Sequence, residues 1–252
     1  MKQYTDISYA TESPEQVLDL FLPDREEFPV FIYFHGGGLE GGTNKDKPYI
    51  SQTLTELGAA FITAEYRKYP NAKYPEYIID AANVVKWTAE NISSYGKCNK
   101  IYVGGSSAGG YLSMMLCFDK RYLESVALDR FAVSGYFHDA GQPTSHFNVL
   151  REKGIDSRRV IVDETAPMFY VGTEEKYPPM HFVYSDNDMQ NRPEQTVLMM
   201  STLKHFGFGD ETFSHTMMKG AHCEHTRALT DDGKSVFGLM VADFLKRQGA
   251  LK

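Results

Sequence analysis

Residues 104–110 read Gly-Gly-Ser-Ser-Ala-Gly-Gly and constrain this chain more than any other segment. Residues 101–103 before them are apolar and branched or aromatic, which is typical of a strand, and residues 111–116 after them favour a helix. A sharp turn from strand to helix crowds the neighbours of its central residue, so that only glycine fits on either side. The pattern Gly-x-Ser-x-Gly therefore predicts that Ser107 stands on such a turn with its hydroxyl clear of the backbone.

Two other interpretations of this segment compete with a reactive Ser107. A serine before a helix is often only an N-cap, whose hydroxyl accepts a hydrogen bond from the first turn. Ser106 could be the exposed serine instead, but the residue two places after it is Ala108 rather than glycine. The spacing therefore favours Ser107.

Length, charge, hydropathy and cysteine content limit the classes of protein to which this chain can belong. The chain has 252 residues, 42% of them hydrophobic, which is enough for one large domain over residues 1–252. Its net charge of −7, without a dense cluster of lysine and arginine, argues against nucleic acid as a partner. No apolar run approaches the roughly 18 residues that a membrane helix needs, and no signal peptide is recognisable at the N-terminus. Three scattered cysteines suit a reducing compartment, so we expect a cytoplasmic protein without a membrane partner.

Apolar segments alternate with helical patterns along the chain. This alternation predicts an α/β fold, with a mostly parallel central sheet and helices on both of its faces. The predicted strands are 17–22 as an antiparallel edge, 30–34, 59–64, 101–103, 131–136, 180–184 and 212–218, and the predicted helices are 45–57, 76–95, 111–116, 195–206 and one near the C-terminus. Residues 137–179 break the rhythm, so we expect a small cap-like insertion over the active site rather than a second domain.

A serine hydroxyl becomes a good nucleophile only when a base takes its proton and a third group orients that base. Asp188 follows the predicted strand 180–184, and His222 follows the strand 212–218. The carboxyl ends of parallel strands meet at one edge of the sheet, so these side chains are expected beside Ser107. Asp186 competes with Asp188 as the acid, and His225 competes with His222 as the base.

Backbone N–H groups without side chains in front of them can stabilise an oxyanion. The segment His-Gly-Gly-Gly at residues 35–38 supplies such groups, and Ala108 supplies another at the start of the helix. A metal is the alternative use of His-Cys-Glu-His at residues 222–225, but no third ligand accompanies the two histidines. We therefore expect no metal and no cofactor.

These motifs together carry a resemblance that covers nearly the whole chain. Residues 18–23 (Leu-Asp-Leu-Phe-Leu-Pro), 35–38, 66–70 (Tyr-Arg-Lys-Tyr-Pro), 105–110 and 178–180 (Pro-Pro-Met) are similar to those of the α/β-hydrolase superfamily. Within it, the chain resembles bacterial carboxylesterases related to hormone-sensitive lipase and those of the BD-FAE type. Ser106 stands where many relatives carry aspartate, and the long N-terminal helical cap of the lipase-like members is missing.

The resemblance implies an α/β-hydrolase fold and hydrolysis of small acyl esters through an acyl-enzyme. Ser107, Asp188 and His222 would be catalytic, with Gly37, Gly38 and Ala108 as oxyanion donors. An amidase of the arylformamidase type is the alternative, and a non-catalytic ligand-binding homologue is a further one. Five aromatic or apolar residues are candidates for lining an acyl pocket, although packing in the core or the cap is the commoner fate of such residues: Tyr136, Phe137, Met168, Phe169 and Tyr170. The natural ester and the oligomeric state stay open.

Overall fold

The computed structural model describes residues 1–45 and 47–252. Its described residues contain a single eight-stranded sheet. In chain order the strands are β1 (Lys2–Ser8), β2 (Val17–Leu22), β3 (Glu27–Phe34), β4 (Ala60–Ala64), β5 (Lys97–Ser106), β6 (Gly135–Asp139), β7 (Met180–Asn187) and β8 (Phe213–Ala221). Their spatial order is β1-β2-β4-β3-β5-β6-β7-β8.

The sheet is mostly parallel, as the alternation of segments predicts. Strands β3 to β8 run parallel to one another, whereas β2 pairs antiparallel with both β1 and β4. The edge on this side is therefore β1 and not β2. Strand β1 is nearly all exposed and polar, so its sequence carries no apolar signal from which it could be predicted.

The central strands are apolar on both faces because each face is covered. In β3, Val30 and Ile32 point into one apolar cluster, while Phe31 and Tyr33 point into a second cluster across the sheet. A strand buried on both sides has no polar face to alternate with, which explains the uninterrupted apolar run at 30–34.

Helices cover both faces of the sheet. They are α1 (Pro48–Glu56), α2 (Glu76–Asn91), α3 (Ala108–Phe118), α4 (Arg121–Ser125), α5 (Phe147–Glu152), α6 (Arg192–His205) and α7 (Val236–Arg247). Buried residues of α2, α3 and α6 belong to the first cluster, and those of α1 and α7 belong to the second. The predicted arrangement of helices on both faces is confirmed.

Several predicted bounds are wrong by a few residues. The strand expected at 131–136 lies at Gly135–Asp139, because the Asp129 carboxylate accepts the Phe131 N–H at 2.7 Å and turns Arg130–Ala132 into a 3-10 helix. The start of the expected insertion moves accordingly, since 137–139 belong to β6. One domain with a cap-like insertion over 137–179 stays a prediction.

The predicted helices also differ at their ends. Helix α1 begins at Pro48, a residue suited to the first helical position, and Asp46 in the predicted helix 45–57 lies outside the described residues. Helix α2 stops at Asn91 and continues only as the 3-10 turn Ile92–Ser94. No helix within 1–45 and 47–252 is long and apolar enough to cross a membrane.

Candidate active site

Ser107 occupies the tight turn between β5 and α3. Its φ of 57° and ψ of −113° are a strained combination for a residue with a side chain. Its N–H donates to the Asp139 carbonyl oxygen at 2.8 Å. The glycines on either side are required by space: a Cβ on Gly105 would lie 2.5 Å from Gly109, and one on Gly109 would lie 1.9 Å from the carbonyl oxygen of Phe34.

The Ser107 hydroxyl contacts a histidine rather than the helix behind it. It makes no side-chain capping bond to α3, which argues against the N-cap interpretation. Its Oγ lies 2.8 Å from His222 Nε2, while His222 Nδ1 makes a close hydrogen bond to Asp188 Oδ1. The carboxylate accepts, so it holds the proton on Nδ1 and leaves Nε2 free to accept from the hydroxyl. The structure thus brings together the three side chains predicted from their order in the sequence.

The two competing residues serve elsewhere. Asp186 is exposed, and its Oδ1 accepts the Gly220 N–H at 2.9 Å, which joins the ends of β7 and β8. His225 Nε2 lies 3.0 Å from Asp139 Oδ1, in a buried pair separate from His222. Asp186 therefore does not contact His222 as the acid would, and His225 does not contact Ser107 as the base would.

The Asp188 carboxylate lies in an environment that keeps it ionised. Burial raises the pKa of this fully buried side chain, but the hydrogen bond and charge of His222 outweigh burial and lower the pKa below its usual value. The Met189 N–H, at 2.6 Å, and the charge of Arg192 act in the same direction. Arg192 is itself buried, with Nη1 donating to the Ala140 carbonyl oxygen at 2.6 Å.

The glycine loop lies beside the nucleophile. A Cβ on Gly36 would lie 3.2 Å from the Ser107 Cβ, and Gly37 lines the same cavity as Ser107. Gly38 faces Phe147 of α5, whose ring would lie 3.0 Å from a Cβ there, and it is not part of the cavity wall. Ala108 is the first residue of α3, so its N–H has no acceptor within the helix.

A cavity of about 930 Å³ opens in front of Ser107. Its walls come from the glycine loop, the start of α1 and the loop after β8. They include Tyr33, His35, Tyr49, Ile50, Cys223, Arg227 and Leu229. None of the five predicted pocket residues is among them: Tyr136 and Phe137 are buried in the core, for example, and Phe169 is half exposed.

The family model BD-FAE matches residues 18–203. The chain belongs to the BD-FAE family. Among curated proteins, it is 33% identical over 94 residues to carboxylesterase NlhH of Mycobacterium tuberculosis, a match that covers 36% of this chain and 30% of NlhH. It is 31% identical over 118 residues to probable carboxylesterase 7 of Arabidopsis thaliana, covering 40% of this chain and 38% of that protein. The BD-FAE protein thus spans only about a third of the length of these relatives.

Solved structures resemble the BD-FAE protein over nearly its whole length. Thermogutta terrifontis esterase 2, phosphorylated by paraoxon, superposes with a TM-score of 0.78 at 18% identity and covers 99% of this chain and 95% of that one. A truncated carbohydrate esterase from gut microbiota gives 0.76 at 18% identity and covers 98% and 96%. These likenesses confirm the expected α/β-hydrolase fold.

The glycine loop of the BD-FAE protein is held by contacts that the sequence did not predict, and one of their residues, Glu65, was not singled out at all. His35 stacks on Tyr66 with ring centroids 4.5 Å apart, and its Nε2 lies 2.8 Å from Glu65 Oε1. Lys68 Nζ approaches the same Glu65 oxygen at 2.6 Å. Residues of the motif 66–70 therefore anchor this loop. The carboxylate of Glu65, directly before that motif, is the sequence feature from which the contact could have been predicted.

Cys223 is a further neighbour of the Ser107–His222–Asp188 group. Cys223 lies with φ at 54° directly after His222, and its Sγ is 3.7 Å from His222 Nε2. Burial raises the pKa of this thiol well above its usual value.

In the described part of the chain, no group of three or more histidine, cysteine, aspartate or glutamate residues could hold a metal ion.

Proposed function

We propose that this protein is a serine carboxylesterase that hydrolyses small acyl esters. The observation that carries the proposal is the unbroken contact from Ser107 Oγ through His222 to the buried Asp188 carboxylate, at the wall of an open cavity. Membership of the BD-FAE family supports it, as do the carboxylesterase and esterase names of its relatives. Those names do not favour the formamidase alternative.

The reaction begins when Ser107 Oγ attacks the ester carbonyl carbon while His222 Nε2 takes the hydroxyl proton. The carbonyl oxygen becomes an oxyanion, and His222 then gives the proton to the departing alcohol as the acyl–oxygen bond breaks. In the second half water attacks the acyl carbon and loses a proton to His222, which returns that proton to Ser107 Oγ as the acyl–Ser107 bond breaks and the carboxylic acid leaves. Asp188 stays ionised throughout and holds the imidazole in one orientation.

The proposed oxyanion donors are the N–H groups of Gly37, Gly38 and Ala108. Gly37 is supported by its place on the cavity wall and Ala108 by its place at the start of α3. Removing one such donor from a serine hydrolase typically raises the barrier by about 3 kcal/mol. Gly38 faces Phe147 and lies outside the cavity wall.

The test is turnover of p-nitrophenyl acetate and p-nitrophenyl butyrate by the purified protein, combined with labelling by paraoxon. Thermogutta terrifontis esterase 2 is phosphorylated by paraoxon. We expect Ser107 Oγ to displace p-nitrophenolate from phosphorus in the same way, giving a diethylphosphoryl adduct and loss of activity. Ser107→Ala should abolish both turnover and labelling.

The neighbouring serine supplies the matched control. Ser106→Ala should keep the adduct, because the buried Ser106 hydroxyl does not contact His222. Peptide mass spectrometry then assigns the adduct to one of the two serines. Undiminished turnover in Ser107→Ala would sink the assignment.

We also propose that the protein works in the cytoplasm. All three cysteines (Cys98, Cys117 and Cys223) are free thiols, which suits a reducing compartment. Cell fractionation followed by immunoblotting tests this, and recovery from an oxidising compartment would contradict it.

A further inference from the structure

A second carboxylate–imidazole pair lies behind the first. His225 Nε2 and Asp139 Oδ1 are 3.0 Å apart, with side chains 3% and 0% exposed. His225 lies three positions after His222, in the 3-10 turn Glu224–Thr226. Asp139 ends β6, where it pairs with Ser106 at the end of β5, directly before Ser107. The ends of the neighbouring strands β6 and β7 thus each supply a carboxylate that contacts the same loop: Asp139 contacts His225, and Asp188 contacts His222.

Asp139 contacts both halves of the catalytic arrangement. Its carbonyl oxygen accepts the N–H of Ser107 at 2.8 Å, and its carboxylate accepts from His225. One residue therefore connects the turn that presents the nucleophile with the loop that presents the base. On that loop only Cys223 and Glu224 lie between His222 and His225.

The hydrogen bond between His225 and Asp139, called the Asp139–His225 tie below, is buried, and no second hydrogen bond of these two side chains supports it among the described residues. Asp139 Oδ2 and His225 Nδ1 have no hydrogen-bond partner among the residues that the structure describes, so the Nε2–Oδ1 contact is the hydrogen bond that these two side chains share. The His225 ring also stacks over Phe237 of α7, with centroids 6.4 Å apart, and this contact restricts its orientation. Separating such a pair costs free energy, because it leaves a buried charge without a partner, so the pair resists being pulled apart.

The loop between the two histidines needs such a connection. Cys223 adopts a left-handed conformation at φ 54°, which is unfavourable for a residue with a Cβ. Strained backbone of this kind persists only when the surroundings hold it from both sides. Asp188 holds the loop at His222, and Asp139 holds it at His225.

We propose that Asp139 and His225 are positioning residues that hold the histidine loop against the nucleophile turn and so keep His222 Nε2 within reach of Ser107 Oγ. The proposal rests on the proposed esterase function and adds to it. Neither side chain touches the Ser107 hydroxyl or lines the cavity, so both act through His222 rather than on the substrate.

The central test compares His225→Phe with His225→Gln. Phenylalanine keeps a ring against Phe237 but has no N–H for Asp139, whereas the glutamine amide can place a donor near the position of Nε2. We expect His225→Phe to lower kcat for p-nitrophenyl acetate on the order of 10- to 100-fold with KM little changed, because small misplacements of a base cost that much. His225→Gln should recover most of the lost kcat.

Counting active sites separates positioning from simple loss of fold. The p-nitrophenol released by excess paraoxon gives the number of competent sites, and kcat is expressed per site. The control is His181→Phe, which removes another buried histidine whose two nitrogens lie 2.8 Å from Ser214 Oγ and 3.1 Å from Thr216 Oγ1. It should lower the thermal midpoint without lowering kcat per site.

A double variant covers the case in which His225→Phe does not fold. Asp139→Asn/His225→Phe removes the tie without leaving a buried unpaired charge, and we expect the same loss of kcat per site. Wild-type kcat per site in either folded variant would overturn the proposal, as would an equal loss in His225→Gln and His225→Phe. A folded wild-type protein that neither hydrolyses esters nor reacts with paraoxon would overturn the proposed function and, with it, this inference.

Discussion

Among the individual residues of the site, Asp188 and Asp186 differ most in what they do. They are two positions apart after β7, yet only Asp188 is buried against His222, whereas Asp186 accepts a backbone N–H from the end of β8. Asp186 lies within β7, whereas Asp188 lies just after the strand ends at Asn187. Two similar carboxylates therefore differ in what they contact, a histidine side chain for Asp188 and a backbone N–H for Asp186.

We expect Asp188→Asn to lower kcat on the order of 10³- to 10⁴-fold, because an amide can present its N–H to His222 and stabilise the wrong tautomer. Steady-state kinetics with p-nitrophenyl acetate measure the loss. Asp186→Asn keeps an oxygen for the Gly220 N–H and should leave kcat close to the wild-type value. Equal activities of the two variants would contradict the assignment of the acid.

Among the elements, the loop after β3 depends on the segment after β4. Strands β3 and β4 are parallel neighbours, so His35 and Glu65, each just past the end of its strand, come side by side. Burial raises the pKa of Glu65, but the hydrogen bonds and charges of His35 and Lys68 outweigh burial and lower the pKa to about 2. The ionised Glu65 carboxylate therefore stabilises the folded protein through the same contact with His35 that holds the glycine loop in place.

We expect Glu65→Gln to remove a pH-dependent part of the stability. A carboxyl whose pKa is lower in the folded state stabilises the protein fully above its unfolded pKa, near 4.5, and loses that contribution as pH falls toward 2. Because water reaches part of the group, we expect about 2 kcal/mol. Denaturant unfolding of both proteins should show a constant difference above pH 5 that shrinks below pH 4.5. A difference that does not vary with pH would contradict this expectation.

For the whole molecule, the two apolar clusters on opposite faces of the sheet carry the stability, while the site lies at one edge. The second cluster, where α1 and α7 pack on each other, contains Leu245 at 0% exposure. Leu198 on α6 is 51% exposed and contributes little burial. Changes in the packed cluster should therefore affect unfolding more than chemistry.

We expect Leu245→Ala to lower the free energy of unfolding by about 3 kcal/mol, since it leaves a cavity in a packed cluster. Leu198→Ala should change it by less than about 0.5 kcal/mol, as is usual for surface positions. Thermal or urea unfolding measures both values, and kcat per active site should stay at the wild-type level in each. A large loss of kcat per site in folded Leu245→Ala would show that α7 packing reaches the site.

Local patterns were sufficient for much of the fold. The apolar run at 30–34 and the helical period that begins at Glu76 depend on which neighbours a residue has along the chain, and the structure confirms both elements. The strand expected at 131–136 was wrong because a single side-chain bond from Asp129 stops the chain from extending there. Strand β1 was missed because an exposed edge strand needs no apolar face.

The order of Ser107, Asp188 and His222, each just after a strand, was enough to predict that these segments meet, because parallel strands end at one edge of a sheet. The contacts of the folded chain then separate Asp188 from Asp186 and His222 from His225. Only the tertiary structure decided what the other polar residues do. His225 binds Asp139 across 86 positions of sequence, and Glu65 binds His35 across 30. Such pairs are set by which strands are neighbours and how far each extends, and these are properties of the assembled sheet that no local spacing contains.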